Sequence, residues 1–387
     1  MHAVLAGAGV GGLTAAAALS ARGVRVTLVE REPALLEAGA GVQLSPNAVR
    51  VLRGLGLGDG LSAVAFAPEA AEVRDAATGR VLLSTALGEA AVARWGAPYL
   101  TVHRADLQQL LAETLAARGV IPRLGVAAAG LEQGAEGMRL ILSDGGAIEG
   151  DIAVGCDGLR SAVRAALWGE GAPRYSGQIA WRALVPAERL LEGLIPPKVC
   201  VWLGPGRHFV HYPVRGGRLV NFVGAVERGR PGDESWTDRG DPAEALADFR
   251  GWPAPVLALL EAADEVWRWP LFERASLPAW RQGRVSLLGD AAHPMAPFLA
   301  QGAAMAIEDA EALARHLSAA RRPDAGLAAY ESERRPRTTR VQQLSARNAQ
   351  LFHMPAPAAR LAYRAARALD AAAGEASRLD WLYGWGR

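Results

Sequence analysis

The sequence predicts an α/β fold in which a Rossmann-like dinucleotide-binding domain carries an inserted antiparallel β-sheet and C-terminal helices. A glycine-rich turn near Gly7, between a short apolar run and a helix-forming stretch, supports the first part. Alternating residues rich in Val, Trp, Tyr and Phe, from about Gly177 to Ala225, support the inserted sheet. Helical patterning from about Leu327 to Arg387, without another βα unit, supports the last part.

Apolar periodicity gives the individual elements in order. The first three, a strand, a helix and a strand, form a βαβ unit over His2–Ala6, Leu13–Ala21 and Val24–Glu30. The later predicted elements are helices over Pro46–Leu55, Ala105–Arg118 and Gln301–Ala319, helical patterning over Asp241–Ala263, and strands near Glu72–Thr85, Asp151–Cys156 and Val285–Leu288.

The composition is that of a soluble protein, with 387 residues, 50% of them apolar and 21% charged. The net charge of +2, without a run of five or more like charges, argues against a nucleic-acid partner. Cys156 and Cys200 lack the spacing of metal ligands, so we expect no metal and a cytoplasmic location. No apolar stretch reaches about 18 residues, so no membrane span is expected. Homodimer formation stays open.

The first motif is the turn Gly7-Ala8-Gly9-Val10-Gly11-Gly12, which matches G-x-G-x-x-G between a strand and a helix. Gly7 permits the tight turn, Gly9 lets the backbone approach a pyrophosphate, and Gly12 lets the helix pack closely on the strand. Glu30 ends the next strand, where its carboxylate can accept hydrogen bonds from ribose hydroxyls. The motif predicts a bound dinucleotide, and by itself it leaves NAD and FAD open.

Four further segments carry a family resemblance. Residues 155–164 read Gly-Cys-Asp-Gly-Leu-Arg-Ser-Ala-Val-Arg, and residues 289–294 read Gly-Asp-Ala-Ala-His-Pro. Residues 104–107 read Arg-Ala-Asp-Leu, and residues 41–48 read Gly-Val-Gln-Leu-Ser-Pro-Asn-Ala. In their order along the chain, these segments resemble the fingerprints of single-component (class A) flavoprotein aromatic hydroxylases, most closely the salicylate and 3-hydroxybenzoate hydroxylase branch. The similarity covers essentially the whole chain.

The resemblance implies FAD as the cofactor and NADH or NADPH as the co-substrate. Asp290 is placed to accept from flavin or ribose hydroxyls, and the helix after Gln301 directs its positive end at the flavin pyrimidine. Asp157 is implied near the nicotinamide or pyrophosphate, with a helix N-cap as its structural alternative. The implied cofactor-binding residues are Gly7, Gly9, Gly12, Glu30, Arg31, Gln43, Arg104, Asp157, Asp290, Pro297, Gly302 and Ala303.

The family's Gly-Gln-Gly-Ala-Asn pattern is replaced here by Ala-Gln-Gly-Ala-Ala over residues 300–304, so the Asn contact is absent. The implied fold is that of para-hydroxybenzoate hydroxylase. We expect an FAD-binding domain over residues 1–175 and 266–345, a substrate-binding sheet domain over 176–265 and a C-terminal helical segment over 346–387.

The predicted sheet contains the sequence Arg-His-Phe-Val-His-Tyr-Pro over residues 207–213. Because side chains alternate along a strand, His208 and Tyr212 share one face and His211 points to the other. The phenol or the imidazole can act as a base that deprotonates a hydroxylated ring. Similar spacing occurs in the hydroxybenzoate-like relatives, so His208 and Tyr212 are the catalytic candidates, with a plain core role as the alternative.

An aromatic acid needs a counter-charge, an amide dipole and an apolar slot. The candidate substrate-binding residues are Arg182, Trp202, His211, Phe298 and Gln301. By resemblance, the expected reaction hydroxylates a small aromatic acid, such as salicylate or a hydroxybenzoate, with NAD(P)H and O₂ through a C4a-hydroperoxyflavin. An N-heterocycle similar to 6-hydroxynicotinate or urate is the alternative substrate.

Three other functions are less well supported. A flavin-dependent halogenase would explain Trp267-Arg268-Trp269-Pro270, but the lysine that its chemistry needs in the N-terminal half is absent, because Lys198 is the only lysine. A dehydrogenase would use the first glycine motif alone. A non-catalytic flavoprotein would keep the FAD motifs but would not need the polar pair His208 and Tyr212 in the sheet.

Overall fold

The computed structural model describes residues 1–35, 40–134, 137–169, 171–229, 239–373 and 377–387. The strands are β1 (His2–Ala6), β2 (Arg25–Val29), β3 (Gly41–Leu44), β4 (Ala70–Asp75), β5 (Val81–Ala86), β6 (Leu100–His103), β7 (Ala128–Gln133), β8 (Met138–Leu142), β9 (Ala147–Gly150), β10 (Ile152–Gly155), β11 (Arg174–Pro186), β12 (Val199–Gly204), β13 (Arg207–Val214), β14 (Leu219–Glu227), β15 (Arg239–Gly240), β16 (Val266–Glu273), β17 (Arg281–Gln282) and β18 (Val285–Leu287).

The helices are α1 (Val10–Ser20), α2 (Pro46–Gly54), α3 (Gly58–Val64), α4 (Gly88–Trp95), α5 (Arg104–Ala116), α6 (Ala162–Trp168), α7 (Pro242–Asp248), α8 (Ala254–Glu261), α9 (Gly302–Ala319), α10 (Pro323–Phe352), α11 (Ala356–Ala373) and α12 (Ser377–Tyr383).

A five-stranded sheet in the order β17-β18-β10-β1-β2 forms the floor of the dinucleotide-binding domain. Its strands are parallel except for the short β17. Residues Ala3–Ala6 of β1 and all of β10 are apolar and buried, as expected for central parallel strands, and α1 and α9 pack against each other beside them. The carboxyl ends of β1, β10 and β18 therefore meet at one edge, where the glycine turn and Asp290 follow.

An eight-stranded sheet in the order β15-β16-β11-β14-β13-β12-β4-β5 forms the second layer. Its pairs are antiparallel except β12 with β4, which run parallel. The sheet is larger than the predicted insert over residues 176–265, because β4 and β5 join one side and β16 the other. Residues 230–238, inside that insert, lie outside the described residues.

Clusters of buried side chains cover both faces of this sheet. One face packs on α7 and α8 through Trp181, Phe209 and Phe222. The other face, with Tyr212 and Val214, packs against Met305 of α9 and against α12. The predicted mixed α/β class with C-terminal helices is confirmed.

Two predicted helical regions differ from the structure in detail. The pattern over Asp241–Ala263 forms α7 and α8, separated at Trp252-Pro253, because proline cannot donate to a continuing helix. α10 is continuous over 30 residues and crosses the expected boundary at 345/346. Within the described residues, no helix is long and apolar enough to cross a membrane.

Candidate active site

The glycine turn is closely packed on one side and open on the other. Gly7 has φ +102°, and a Cβ there would lie 2.5 Å from the carbonyl oxygen of Cys156. A Cβ on Gly12 would lie 1.8 Å from the carbonyl oxygen of Gly7. A Cβ on Gly9 would meet no atom within 4 Å. The backbone at Gly9 therefore borders open space of the kind that a pyrophosphate needs.

Two helices present free N-termini at this edge. α1 has no side-chain cap, and no described residue accepts from the first N–H groups of α1. α9 likewise lacks a cap, and the N–H groups of Gly302, Ala303 and Ala304 have no acceptor among the described residues. Free N–H groups and the positive end of the helix dipole favour anionic ligand groups at both places.

Glu30 closes the turn from the end of β2. Its Oε2 accepts from the backbone N–H of Ala8 at 2.5 Å, and its Oε1 accepts from the N–H of Glu32 at 3.1 Å. The neighbouring Arg31 is exposed and forms an ion pair with Glu32 at 3.2 Å. Glu30 is thus fixed beside the glycine turn, whereas Arg31 lies at its outer rim.

Arg104, at the start of α5, lies close to Asp290, which follows β18, and to Glu30. The space between these three side chains is called the groove below. The structure gives the Arg104 side chain no hydrogen bond or ion pair to another described residue. Burial lowers the pKa of Arg104, against the charges of Asp290 and Glu30. Asp290 is open to solvent, but the surrounding protein raises the pKa of its carboxyl, against His293 and Arg104. A cation and a carboxylate therefore lie close together, and neither side chain has a hydrogen-bond partner among the described residues.

Asp157 has contacts within its own loop. It accepts from the hydroxyl of Ser161 at 2.5 Å and from the N–H of Val163 at 3.1 Å. Burial raises the pKa of Asp157, against these hydrogen bonds. Arg164 donates to the carbonyl oxygen of Ala291 at 3.2 Å, so this segment holds the loop that contains Gly289 and Asp290 in place. In the structure, Asp157 makes the helix-capping contacts that the sequence offered as the structural alternative to a cofactor role.

The segment from Pro297 to Gln301 connects a short 3₁₀ turn to α9. Ala300 adopts φ +51°, the left-handed region that favours glycine. Gln301 is buried, and its Nε2 donates to the hydroxyl of Ser45 at 3.0 Å. The strained backbone at Ala300 sets the start of α9, and with it the direction of the free N–H groups.

These observations fit FAD. The glycine turn and Arg104 would hold the pyrophosphate, Glu30 and Asp290 would hold ribose and ribityl hydroxyls, and the start of α9 would face the flavin. A surface cavity of about 530 Å³ lies at the amino ends of β1, β2 and β10, the edge of the sheet opposite this groove.

A polar cluster joins Gln43 of β3 and Tyr99, which precedes β6, to Tyr212 and Arg182 of the eight-stranded sheet. Tyr99 donates to Oε1 of Gln43 at 2.7 Å, and Tyr212 shares a hydrogen bond with the same amide. Burial raises the pKa of Tyr212 to about 12, against the nearby Arg182 and Gln43. The Arg182 guanidinium lies 4.3 Å from the ring centroid of Trp269, and burial lowers its pKa to about 10. Neither Tyr99 nor Trp269 was expected as a site residue.

His208 lies on the same face, toward the other end of β13. Its ring is 5.1 Å from Phe298 and 5.2 Å from Phe352, centroid to centroid. Its Nδ1 pairs with Nε2 of His353 at 2.8 Å. Burial, with a smaller effect of His353, lowers the pKa of His208 well below 6.5. His208 is therefore a neutral, buried imidazole beside the loop that precedes α9.

The predicted faces of β13 are confirmed, but His208 and Tyr212 do not touch. Residues four apart on a strand are separated by about 13 Å, and the bonds that the structure gives His208 lead to His353 instead. Trp202 and His211 lie on the other face, with their ring centroids 6.4 Å apart. The structure does not bring those two together with Arg182, Phe298 or Gln301.

A buried charge network lies behind α9. Glu308 accepts from Nδ2 of Asn47 at 2.6 Å and also binds Arg334 and Arg337. Arg337 in turn donates to the carbonyl oxygens of Trp381 and Leu382. Asp309 binds His293 at 2.5 Å and Arg334 at 2.7 Å. The network joins α2, α9, α10 and α12 into one support for the site.

Comparison with known proteins gives a consistent result. The FAD binding domain family matches residues 1–345. The chain is 42% identical over 384 residues to 3-amino-4-hydroxybenzoate 2-monooxygenase of Streptomyces cremeus, covering 98% of this chain and 93% of that protein. It is 40% identical to 6-hydroxynicotinate 3-monooxygenase of Bordetella bronchiseptica, covering 88% and 89%. It is 38% identical to 3-hydroxybenzoate 6-hydroxylase 1 of Aquipseudomonas alcaligenes, covering 88% and 87%.

A solved structure of a salicylate hydroxylase substrate complex has the same fold. Its TM-score is 0.82 at 28% identity, covering 100% of this chain and 95% of that chain. The predicted resemblance to the flavoprotein aromatic hydroxylases is thereby confirmed. The chain belongs to the FAD binding domain family and is an FAD-dependent aromatic monooxygenase with a reduced nicotinamide as its co-substrate.

Proposed function

We propose that this enzyme hydroxylates a small aromatic ring that carries both a hydroxyl and a carboxylate, with O₂ as the oxidant. The observation that supports the acid most directly is Arg182. Its guanidinium lies against Trp269, its Nε is buried without a partner among the described residues, and no described carboxylate pairs with it. A buried cation without a counter-charge is costly, so an anionic ligand would relieve it.

The hydroxyl requirement rests on His208. A neutral imidazole can take the proton from a phenol, which raises the electron density of the ring before oxygen attack. Tyr212, with its pKa raised to about 12, stays protonated at neutral pH and serves as a hydrogen-bond donor. Of the two candidate bases, we therefore assign the proton transfer to His208 and the positioning to Tyr212.

The remaining side chains orient the ring and exclude water. Phe298 and Phe352 surround the imidazole of His208 with apolar surface. Gln43 is held by Tyr99 and Tyr212 at the groove. When bound, FAD supplies the redox chemistry that couples nicotinamide oxidation to insertion of one oxygen atom.

The first candidate substrate is 3-amino-4-hydroxybenzoate, because the relative that acts on it is 42% identical over nearly the whole chain. 6-Hydroxynicotinate is the second, because a relative at 40% identity carries that name. Both are acids with an ionisable ring substituent. Either would use Arg182 for the carboxylate and His208 for the proton.

Purified holoenzyme should be tested with 3-amino-4-hydroxybenzoate, 6-hydroxynicotinate, 3-hydroxybenzoate and salicylate. NADH or NADPH oxidation, oxygenated product and hydrogen peroxide should be measured for each. We expect product to match nicotinamide consumption for at least one acid. Nicotinamide consumption without any oxygenated product, for all four acids, would contradict the proposal.

A further inference from the structure

A continuous chain of hydrogen bonds leads from His208 to the protein surface. Nδ1 of His208 pairs with Nε2 of His353 at 2.8 Å. Nδ1 of His353 then pairs with Oε1 of Glu227 at 2.9 Å. The side chains of His353 and Glu227 are 4% and 57% exposed, so the chain begins in the protein interior and ends in bulk solvent.

The backbone holds this chain in place. The N–H of Gly206 donates to the carbonyl oxygen of His353 at 3.2 Å, and the N–H of Glu227 donates to the carbonyl oxygen of Gly206 at 3.0 Å. The turn between β12 and β13 thus fixes both outer members relative to β13, which carries His208. The main chain at His353 and Glu227 is therefore fixed relative to the strand that carries His208.

The electrostatic surroundings keep both imidazoles neutral. Burial lowers the pKa of His353, and Glu227 acts against it. For His208, burial and His353 both lower the pKa. The other described neighbours, Phe298, Phe352 and Gln178, carry no charge, so Glu227 is the charged group that acts on the pair. Two neutral imidazoles in series, each with a donor and an acceptor nitrogen, are suited to pass a proton.

We propose that His353 and Glu227 conduct to solvent the proton that His208 takes from the substrate hydroxyl. This inference rests on the proposed function. Nε2 of His208, for which the structure gives no partner among the described residues, accepts the substrate proton as the substrate O–H bond breaks. The proton on Nδ1 of His208 moves to Nε2 of His353, and the proton on Nδ1 of His353 moves to Glu227 and then to water. One proton enters, one leaves, and no electron is transferred.

The structure offers His208 no comparable route toward Tyr212. Tyr212 lies about 13 Å away along β13, and its hydroxyl is engaged with Gln43. The phenylalanines beside His208 provide no acceptor. His353 and Glu227 act through His208 and do not contact the substrate, so they are positioning residues for this step.

The test compares wild-type holoenzyme with His353→Gln and Glu227→Gln, and with Glu244→Gln as the matched control. Glu244 is another partly exposed carboxylate, bound to Arg228 and outside the chain. Proton release on anaerobic binding of 3-amino-4-hydroxybenzoate should be followed by stopped flow with a pH indicator dye. The steady-state kcat and KM, the bound FAD and the Tm should be measured in parallel.

We expect His353→Gln to slow proton release and to lower kcat about tenfold or more, with KM nearly unchanged. Glu227→Gln should show the same effect to a smaller extent and no loss of Tm, because its side chain is exposed. In His353→Ala, added imidazole should restore part of the rate, which a purely structural role would not allow. Glu244→Gln should match the wild type.

Two different failures can be told apart. If wild-type enzyme forms product but His353→Gln and Glu227→Gln release protons and turn over at the wild-type rate, the relay is wrong and the proposed function stands. If wild-type enzyme forms no product and binds none of the four acids, the proposed function fails and the relay fails with it. A loss in His353→Gln that follows only from lower FAD content or Tm, without imidazole rescue in His353→Ala, also overturns the relay.

Discussion

The guanidinium of Arg182 in β11 stacks on the ring of Trp269 in the neighbouring strand β16, with 4.3 Å between the Arg182 Cζ and the ring centroid. The contact fixes the cation from one side. Tyr212 and Arg104 lie close to the same guanidinium. Arg182 is therefore positioned by an aromatic residue and not by a carboxylate, which is the arrangement that the proposed binding of a substrate carboxylate requires.

Arg182→Met should raise the Kd for 3-amino-4-hydroxybenzoate at least about tenfold, because a charge-assisted hydrogen bond contributes roughly 1.5–3 kcal/mol. The neutral analogue 2-aminophenol lacks the carboxylate, and its weaker binding should not change. Ligand titration of the flavin absorbance would measure both. An equal loss of affinity for the two ligands would contradict the assignment of Arg182 to the carboxylate.

Gly9→Ala should fold with a normal Tm but bind FAD more weakly, because its Cβ meets no protein atom and extends into the proposed pyrophosphate space. Gly54→Ala is the control, since a Cβ there also meets nothing within 4 Å but lies at the end of α2. Differential scanning calorimetry of apoprotein and FAD titration would separate the two properties. Wild-type FAD affinity in Gly9→Ala would argue against the cofactor position.

Ala300→Gly should be neutral or stabilising, by up to about 1 kcal/mol, because φ +51° is unfavourable for a residue with a Cβ. Ala112→Gly, in the interior of α5, should instead cost about 1 kcal/mol. Urea unfolding of the two variants measures the contrast. The same destabilisation in both would mean that Ala300 carries no strain.

Glu308→Gln should destabilise the protein by roughly 3–5 kcal/mol, because it leaves Arg334, fully buried, with a weakened counter-charge. Glu311→Gln, one turn later in α9, breaks only a partly exposed ion pair with Arg22 and should cost less than about 1 kcal/mol. Free energies of unfolding from urea titration provide the measurement. Equal costs would show that burial of the Glu308 network has little effect on stability.

The rate of hydroxylation should stay constant as the pH falls from 8 to about 6.5. The active form of His208 is neutral, and its pKa is lowered well below 6.5 by burial and by His353, so protonation begins only at lower pH. The pH profile of kcat/KM for the wild type and for His208→Gln would test this. A loss of activity near pH 7 that disappears in His208→Gln would place the pKa of His208 higher than the structure indicates.

FAD as the cofactor could be predicted from the sequence because the motifs that indicate it are local. Gly7, Gly12 and Glu30 belong to one βαβ unit, and Asp290 follows a short buried strand in a recognisable segment. The alternation of β13 likewise gave the correct faces for His208 and His211, since side-chain direction depends only on the strand period.

The substrate side could not be predicted to the same extent because its contacts join distant segments. His353 lies 145 residues from His208, and no motif marks it. Trp269 was noted only in relation to a halogenase pattern, and its contact with Arg182 depends on the pairing of β11 with β16. The shared face of His208 and Tyr212 likewise does not show which distant side chain each of them contacts, and for His208 that partner is His353.

The strand order of the five-stranded sheet also has a consequence for synthesis of the protein. β1 pairs with β10, and β10 pairs with β18, so adjacent strands come from residues 2–6, 152–155 and 285–287. At about 5–20 residues per second, β18 is translated roughly 15–60 s after β1. During that interval β1 and α1 lack some of the strands and helices that bury them in the folded protein. The dinucleotide site, which needs both the glycine turn at Gly7 and Asp290, is incomplete. A newly made chain can therefore form the complete dinucleotide site only after Asp290 has been translated, when about three quarters of the chain has been made.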